Sequence, residues 1–373
     1  DQFARELLIS NGSNFRVAPV NFLRAVPNKT PEGVAQMVAL SLMGTRTETW
    51  PKDQAKNLAV FFSRVGYKST LEWKEEIVYF DQTKSNGEVT IGTFPDGTTA
   101  RLLPDRDPRE AFADWLITPK NKWFTRNIAN RAWSWFMGRG IIHEPDDIRP
   151  DNPAQNPELL ALLEKEMVNS KYDMKKLFRF ILNSQTYQLS CIPRSKKPEA
   201  EANFAEYPLR RLEAEVLIDA LDNITSSTEK YSSPIPEPFT FVPEEKRSIT
   251  LSDGSITSPF LEMFGRPARD TGWESERNNH PSADQRLHFL NSTHVQRKIE
   301  QSKKLKAILE TYQKRPRDLV DQIYLTILSR LPSEEELRLV QLYTQNTPPA
   351  AKREAAVDLI WALINTDEFL YRH

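Results

Sequence analysis

The chain has little cysteine, little glycine, no long apolar run and almost no net charge. A single cysteine, Cys191, among 373 residues excludes an intrachain disulfide and a cysteine-ligated metal cluster. No apolar run reaches the roughly 18 residues that a membrane-spanning helix requires. The 50 basic and 51 acidic residues give a formal net charge of −1, so no overall field attracts nucleic acid. We therefore expect neither a nucleic-acid partner nor a membrane span.

Proline is abundant and lies between stretches of helical periodicity. The chain has 26 prolines against 12 glycines, and the prolines mark helix starts and stops. Thr30-Pro31-Glu32 and Asn156-Pro157-Glu158 each place an N-cap residue before a proline and an acid. Apolar side chains recur at helical spacing on both sides of these signals. The pattern predicts a mainly α protein built of multi-helical, bundle-like domains.

One segment departs from the helical pattern. LEWKEEIVYFD, EVTIGTF and TTARLL, between residues 71 and 103, are rich in β-branched and aromatic residues. Ser85-Asn86-Gly87 and Asp96-Gly97 are typical hairpin turns between them. We expect a small antiparallel β insert here, and RSITL at 247–251 is one further strand candidate.

Composition and periodicity divide the chain into five predicted parts. They are a helical remnant at 1–70, the β insert at 71–104, a helical core at 105–230, a long irregular segment wrapping that core at 231–285, and a C-terminal helical part at 286–373. The chain begins DQFARELL without an initiator Met or a signal peptide, so we expect that targeting information has been removed.

The turn GRGIIHEPDDIRP at 138–150 concentrates chemistry-bearing side chains, namely His143, Asp146, Asp147 and Arg149. Two carboxylates beside a cation would bind a hard cation or sugar hydroxyls, or perform acid/base chemistry. In the alternative, the two aspartates cap the next helix or pair with Arg139 and Arg149 at the surface. The turn is a candidate site under the first interpretation only.

Three tryptophans, Trp123, Trp133 and Trp135, lie within thirteen residues of one helical segment. Exposed indole faces would form a sugar platform, whereas aromatic residues at helical spacing more often belong to a core. Arg131 lies between them with two asparagines, and each inward-pointing polar group would need a hydrogen-bond partner.

A second group of candidates follows in the C-terminal half. Arg211 and Glu215 form either an exposed i, i+4 pair or part of a buried Arg–Glu network. Candidate ligand-binding residues in the 264–292 loop and helix are Arg269, Asp270, Arg277 and His280. The six-residue spacing of His288 and His294 places them off a shared helical face, so we expect no metal site.

Several stretches resemble the planctomycete-type cytochrome-associated proteins, specifically the end of their PSCyt domain followed by their PSD domain of unknown function. The first domain is represented by DQFARELLISNGSNFRVAPVNFLR and LAVFFSRVG. The second is represented by EAFADWLITPKN, NIANRAWSWFMGRGIIHEPDDIRP, NPELLALLEKEMVNSKYDMKKLFRFILNSQTYQLS, LRRLEAEVLIDAL and ALINTDEFLYRH. Between 200 and 285 the resemblance covers only short islands, such as FGRPARD and ERNNHPSADQRLHFLN.

The resemblance implies a periplasmic or secreted protein encoded near sulfatases and enzymes of polysaccharide degradation. Relatives commonly carry a Cys-x-x-Cys-His haem-attachment motif, and here the corresponding place reads SLMGTRTETWPKDQAKNLAVFF, without Cys or His. We therefore expect no c-type haem and no other cofactor. The family's Asp after Phe is Gly265, and its Cys is missing near Trp273 and Glu274.

Two functions of different classes follow. The first is a non-catalytic extracytoplasmic helical module, related to cytochrome-associated proteins, with a binding or assembly role near polysaccharide degradation. Its partner would be carbohydrate or another extracytoplasmic protein. The alternative is a carbohydrate-active hydrolase that uses Asp146 or Asp147 with Glu215 as paired carboxylates and the tryptophans as a sugar platform.

Overall fold

A computed structural model describes the chain from residue 1 to 373 except 196, 198, 238, 239, 244, 252, 253, 268–276, 279, 346, 349, 350 and 373. The protein is mainly α, with small antiparallel sheets of two or three strands, as the sequence predicts. It folds into two compact units, 1–208 and 209–373. Within the described residues no helix is both long and apolar enough to cross a membrane.

The first unit combines helices with two small sheets. Its helices are α1 (Gln2–Ile9), α2 (Asn21–Arg24), α3 (Pro31–Val38), α4 (Lys52–Val60), α5 (Pro108–Leu116), α6 (Lys122–Met137), α7 (Pro157–Asn169), α8 (Met174–Leu182) and α9 (Glu199–Ala202). Its strands are β1 (Gly12–Ser13), β2 (Val65–Ser69), β3 (Glu76–Phe80), β4 (Thr90–Thr93) and β5 (Thr99–Leu102). β3 lies between β1 and β2, and β4 pairs with β5.

The predicted helix starts of the first unit are confirmed. The Thr30 hydroxyl accepts a hydrogen bond from Gly33 N, and the Asn156 side chain accepts one from Leu159 N. In both cases proline occupies the first helical turn, where its missing N–H would have no intrahelical partner in any case. The two caps fix where α3 and α7 begin.

The β insert forms with a different pairing from the one that the turns suggest. Asp96-Gly97 joins β4 to β5 in register Gly92↔Ala100, as expected. Ser85-Asn86-Gly87 does not close a hairpin, because β3 pairs with the earlier strand β2 in register Tyr67↔Val78. Residues 82–84 form a short 3-10 turn that leads from one sheet to the other.

Two hydrophobic cores stabilise the first unit. One is built from α1, α3, α4 and α5 with the sheets, and it buries Phe61, Phe62 and Phe112. The other lies between α6, α7 and α8 and buries Trp133. Both contain fully buried large side chains, each of which contributes on the order of 1.5–3 kcal/mol by leaving water.

The described part of the second unit is helical with one short two-stranded ladder. Its elements are β6 (Arg210–Arg211), α10 (Ala214–Thr225), α11 (Pro259–Met263), α12 (Ala283–Asn291), α13 (Thr293–Gln301), α14 (Lys303–Thr311), α15 (Pro316–Ile327), α16 (Glu334–Gln345), α17 (Lys352–Ile364), α18 (Asp367–Leu370) and β7 (Tyr371–Arg372). A third core packs around α10, which buries Leu217, Ile218 and Leu221. The strand expected at 247–251 is wrong, since residues 248–250 form a 3-10 turn.

Candidate functional site

The 138–150 turn is built onto helix α6 by buried side-chain hydrogen bonds. Asn130 donates from Nδ2 to Ile142 O and accepts from Ile142 N, both at 2.9 Å. Gly140 has space only for hydrogen here, because a Cβ would lie 2.2 Å from Ile142 O. Asn127 donates to Ser41 O at 2.9 Å, so α6 also holds the 39–43 turn. Both atoms of the Asn130 amide and the Asn127 Nδ2 are thus hydrogen-bonded, whereas the buried Asn127 Oδ1 has no partner among the described residues.

The two aspartates of the turn have separate arginine partners. Arg131 binds Asp146 Oδ1 through Nε at 2.8 Å and Nη2 at 2.6 Å, and it also donates to Leu40 O and Ser41 O. Arg149 contacts Asp147 at 3.1 Å and Asp151 at 3.3 Å. Neither aspartate caps a helix, so the capping interpretation is wrong and the pairing interpretation holds for Arg149. Of the expected partners, Arg139 contacts Glu201 instead, at 3.5 Å.

The three tryptophans of α6 do not form one platform. Trp133 is 2 % exposed and belongs to the core, whereas Trp135 is 45 % exposed. Trp123, at the start of the helix, lies partly exposed with its ring 5.6 Å from that of Trp115. His143 is exposed and lies 3.4 Å from Glu144.

An open groove of about 920 Å³ borders the turn. Its lining, which we call the Trp groove, consists of Asp96, Thr98, Trp115, Thr118, Lys120, Asn121, Lys122, Trp123, Arg126, Ile142, Ile148, Arg149, Pro150, Asn152, Pro153, Ala154, Pro157, Leu160, Ala161 and Glu164. The turn contributes Arg149, but neither Asp146 nor Asp147 lines the groove. A mostly apolar surface with a few convergent polar groups is the usual composition of a small-ligand site.

The aromatic wall of the Trp groove is held rigidly from behind. The Trp115 ring is stacked on Phe94 at 4.9 Å with an interplanar angle of 7°. Its Nε1 donates to Asp96 Oδ2 at 2.9 Å, which fixes the rotation of the indole. Trp123 completes the wall, and the cap residue Asn121 donates from its amide to Trp115 O at 3.1 Å.

The carboxylates of the groove are already engaged. Burial acts to raise the pKa of Asp96, but hydrogen bonds from Thr98 and Trp115 outweigh it and hold that pKa below its ordinary value. Glu164 accepts from Arg126 Nε at 2.7 Å. Asp96 is therefore an acceptor at neutral pH rather than a proton donor.

Two of the C-terminal candidates, Glu215 and Arg277, form a buried ionic cluster with Arg266 in the second unit. Glu215, 1 % exposed, binds Arg277 at 2.8 and 3.0 Å and lies 3.5 Å from Arg266. Arg211, 7 % exposed, binds Gln285 and donates to Phe264 O at 2.8 Å, so the exposed i, i+4 pair with Glu215 is wrong. The buried Arg–Glu network forms around Glu215 with Arg277 and Arg266. His280 is exposed, and its backbone N–H binds Asn278. Arg269 and Asp270 lie outside the described residues.

His288 and His294 lie close together, contrary to the prediction from their spacing. His288 Nε2 lies 3.2 Å from His294 Nδ1, and His294 Nε2 lies 3.0 Å from Glu229. The two rings meet because the helix breaks at Ser292, which caps α13, so the argument from spacing on one helix fails. Within the described part of the chain no group of three or more His, Cys, Asp or Glu side chains has the arrangement of a metal site.

Residues 108–344, more than half of the chain, match the model of PSD1, a protein family of unknown function (DUF1553). The chain belongs to the PSD1 family. The match includes the 138–150 turn, most of the Trp groove and the buried cluster around Glu215. No curated protein and no solved structure matches the chain.

Sequence reasoning missed the groove of this PSD1 protein. Trp115 and Trp123 lie on different helices, α5 and α6, and the turn at residues 117–121 brings them together. Phe94 and Asp96 come from the end of β4 and the following turn, far from either tryptophan in sequence. The available signal was the short ITPKN connection, which predicts that the ends of the two helices lie close together.

Proposed function

We propose that the Trp groove binds a carbohydrate chain and that the protein is a binding module rather than a catalyst. The observation that carries the proposal is the rigid Trp115–Trp123 wall beside polar side chains that point to one groove. An indole face offers a flat apolar surface to the C–H face of a sugar ring. Asn152, Arg126 and Glu164 supply donors and acceptors for hydroxyl groups.

The state of the carboxylates supports binding over hydrolysis. Glycoside hydrolysis uses one carboxyl group that donates a proton and a second that attacks or activates water. Asp96 has a lowered pKa and three hydrogen bonds, and Glu164 is paired with Arg126. The hydrolase alternative used Glu215, whose carboxylate is buried against two arginines.

The place of action is part of the proposal. The family resemblance suggests a periplasmic or secreted protein that works near polysaccharide degradation, and we adopt that setting for the binding module. An open groove of about 920 Å³ would accommodate part of a long chain. Fractionation of the native organism, with detection of the protein outside the cytoplasm, would test the setting.

A glycan array tests the ligand class. The wild-type protein should bind a restricted set of polysaccharide fragments and release them without shortening them. Asp147→Ala should retain binding, since Asp147 does not line the groove. Absence of binding to every glycan would contradict the proposal, and shortened products would instead favour the hydrolase.

A further inference from the structure

A second, smaller cavity in the first unit is lined by cations and hydroxyl groups. It measures about 290 Å³ and lies where the end of α4, the turn after β3, β4, β5 and the start of α5 meet. Its polar lining consists of Ser63, Arg64, Lys84, Ser85, Asn86 and Thr90. No carboxylate belongs to this lining.

Arg64 is a buried cation without a carboxylate partner in the described part of the chain. The residue is 6 % exposed. Its Nη1 donates to the carbonyl oxygens of Leu103 and Pro104 at 2.8 and 3.1 Å, with Arg106 O at 3.5 Å. These bonds orient the guanidinium, whereas the Nε and Nη2 groups have no acceptor among the described residues. A buried charge that lacks an ionic partner is costly unless an anion compensates it.

Lys84 supplies the second cation. Its Nζ donates to Val65 O at 2.7 Å, which holds the ammonium group beside the cavity and leaves two of its donors for another acceptor. Neither Lys84 nor Arg64 forms a salt bridge within the described ranges. Ser85 Oγ accepts a hydrogen bond from Gly87 N, so its own proton is available to an additional acceptor.

We infer that this cavity is a binding site for a tetrahedral oxyanion, either free phosphate or sulfate or such a group on a larger ligand. The Nε and Nη2 groups of Arg64 form a fork that matches two oxygens of such an anion. Lys84 acts as a point charge, and the hydroxyls of Ser85 and Thr90 supply further donors. The site is separate from the Trp groove and stands whether or not that groove binds carbohydrate.

Titration calorimetry of the whole chain with inorganic phosphate and with sulfate, at constant ionic strength set by chloride, tests the inference. We expect saturable one-to-one binding of at least one of these anions and weaker binding of planar acetate. Lys84→Gln should raise Kd about tenfold or more, the usual effect of one charge-assisted hydrogen bond. Arg64→Lys should raise Kd further, because lysine lacks the two-pronged guanidinium although it keeps the charge.

Lys68→Gln is the matched control, since Lys68 is also an exposed lysine of the first unit but does not line the cavity. It should leave Kd within twofold of the wild-type value. Thr90→Val covers the case in which the Arg64 variant does not fold, and it should weaken binding while the melting temperature stays unchanged without anion. The inference is overturned if neither anion binds, if acetate binds as tightly, or if Lys68→Gln weakens binding as much as Lys84→Gln.

Discussion

The rings of Trp115 and Trp123 lie 5.6 Å apart at an angle of 42°, one at the end of helix α5 and the other at the start of α6. The Phe94 ring behind Trp115 and the Asp96 carboxylate at its Nε1 hold the first indole in place. An aromatic wall that is fixed before a ligand arrives loses little conformational entropy on binding. This relationship underlies the proposed carbohydrate-binding function.

The Arg131–Asp146 pair should stabilise the fold without contributing to ligand binding. Arg131→Ala removes two bonds to Asp146 and the bonds to Leu40 O and Ser41 O. We expect the free energy of unfolding to fall by about 1–3 kcal/mol, measured by urea denaturation. Arg149→Ala, which removes the contacts of a 40 % exposed side chain with Asp147 and Asp151, should change it by less than about 1 kcal/mol. Equal effects of the two substitutions would contradict a stabilising role specific to the Arg131–Asp146 pair.

Asn130 should be the most sensitive polar residue of α6. Its side chain alone satisfies the buried N–H and C=O of Ile142. Asn130→Ala leaves both groups unpaired, and we expect a loss of about 2–4 kcal/mol in the free energy of unfolding. The exposed Asn183→Ala serves as a control and should have little effect. A loss of under about 1 kcal/mol in the free energy of unfolding for Asn130→Ala would show that the 138–150 turn does not depend on the Asn130–Ile142 hydrogen bonds.

His288 should make the second unit less stable in mild acid. Burial lowers the pKa of His288 below its ordinary value of 6.5, and the charge of His294 adds a smaller effect in the same direction. The unfolded chain therefore binds a proton more readily, so stability is lost as the pH falls through about 6.5. Glu229, which faces His294, opposes the shift. His288→Gln should flatten the pH dependence of the melting temperature between pH 7 and 5, and an unchanged slope would contradict this.

Glu336 should likewise make the fold less stable as the pH falls, but in a lower pH range. Hydrogen bonds from Arg330 lower its pKa from 4.5 to about 2. A depressed carboxyl pKa stabilises the fold above about pH 4.5, and that stabilisation is lost as the pH falls toward 2. Because the Arg330–Glu336 pair is partly exposed, we expect it to contribute about 1 kcal/mol to the free energy of unfolding at neutral pH. The difference in the free energy of unfolding between wild type and Glu336→Gln, measured by urea denaturation, should shrink as the pH falls from about 4.5 toward 2. A constant difference would contradict the Arg330–Glu336 pairing.

Local signals in the sequence predicted the fold class and the helix starts. Thr30-Pro31 and Asn156-Pro157 act within four residues, so no distant contact overrides them. The turn at Ser85-Asn86-Gly87 failed because the strand before it pairs with β2, a choice that depends on packing against the core. A turn signal defines a reversal of the chain but not the partner of each strand.

The candidate sites were predicted less well, because they depend on contacts between distant segments. The pairing of Asp147 with Arg149 was visible from spacing alone, whereas Arg131–Asp146 required the α6–turn geometry. Arg277, which pairs with Glu215, lies 62 residues away from it. Periodicity carries no information about such contacts, and it does not show that Ser292 separates α12 from α13.

The most direct test of the carbohydrate-binding proposal is the affinity of Trp123→Ala for a glycan that the wild-type protein binds, compared with that of Trp135→Ala. Both tryptophans lie on α6 and both are accessible, but only Trp123 lines the groove. The proposal predicts a loss of about tenfold or more in affinity for Trp123→Ala, in line with about 1.5 kcal/mol for one lost stacking contact. Trp135→Ala should bind like wild type. Equal affinities of the two variants, or loss for Trp135→Ala alone, would contradict the proposal.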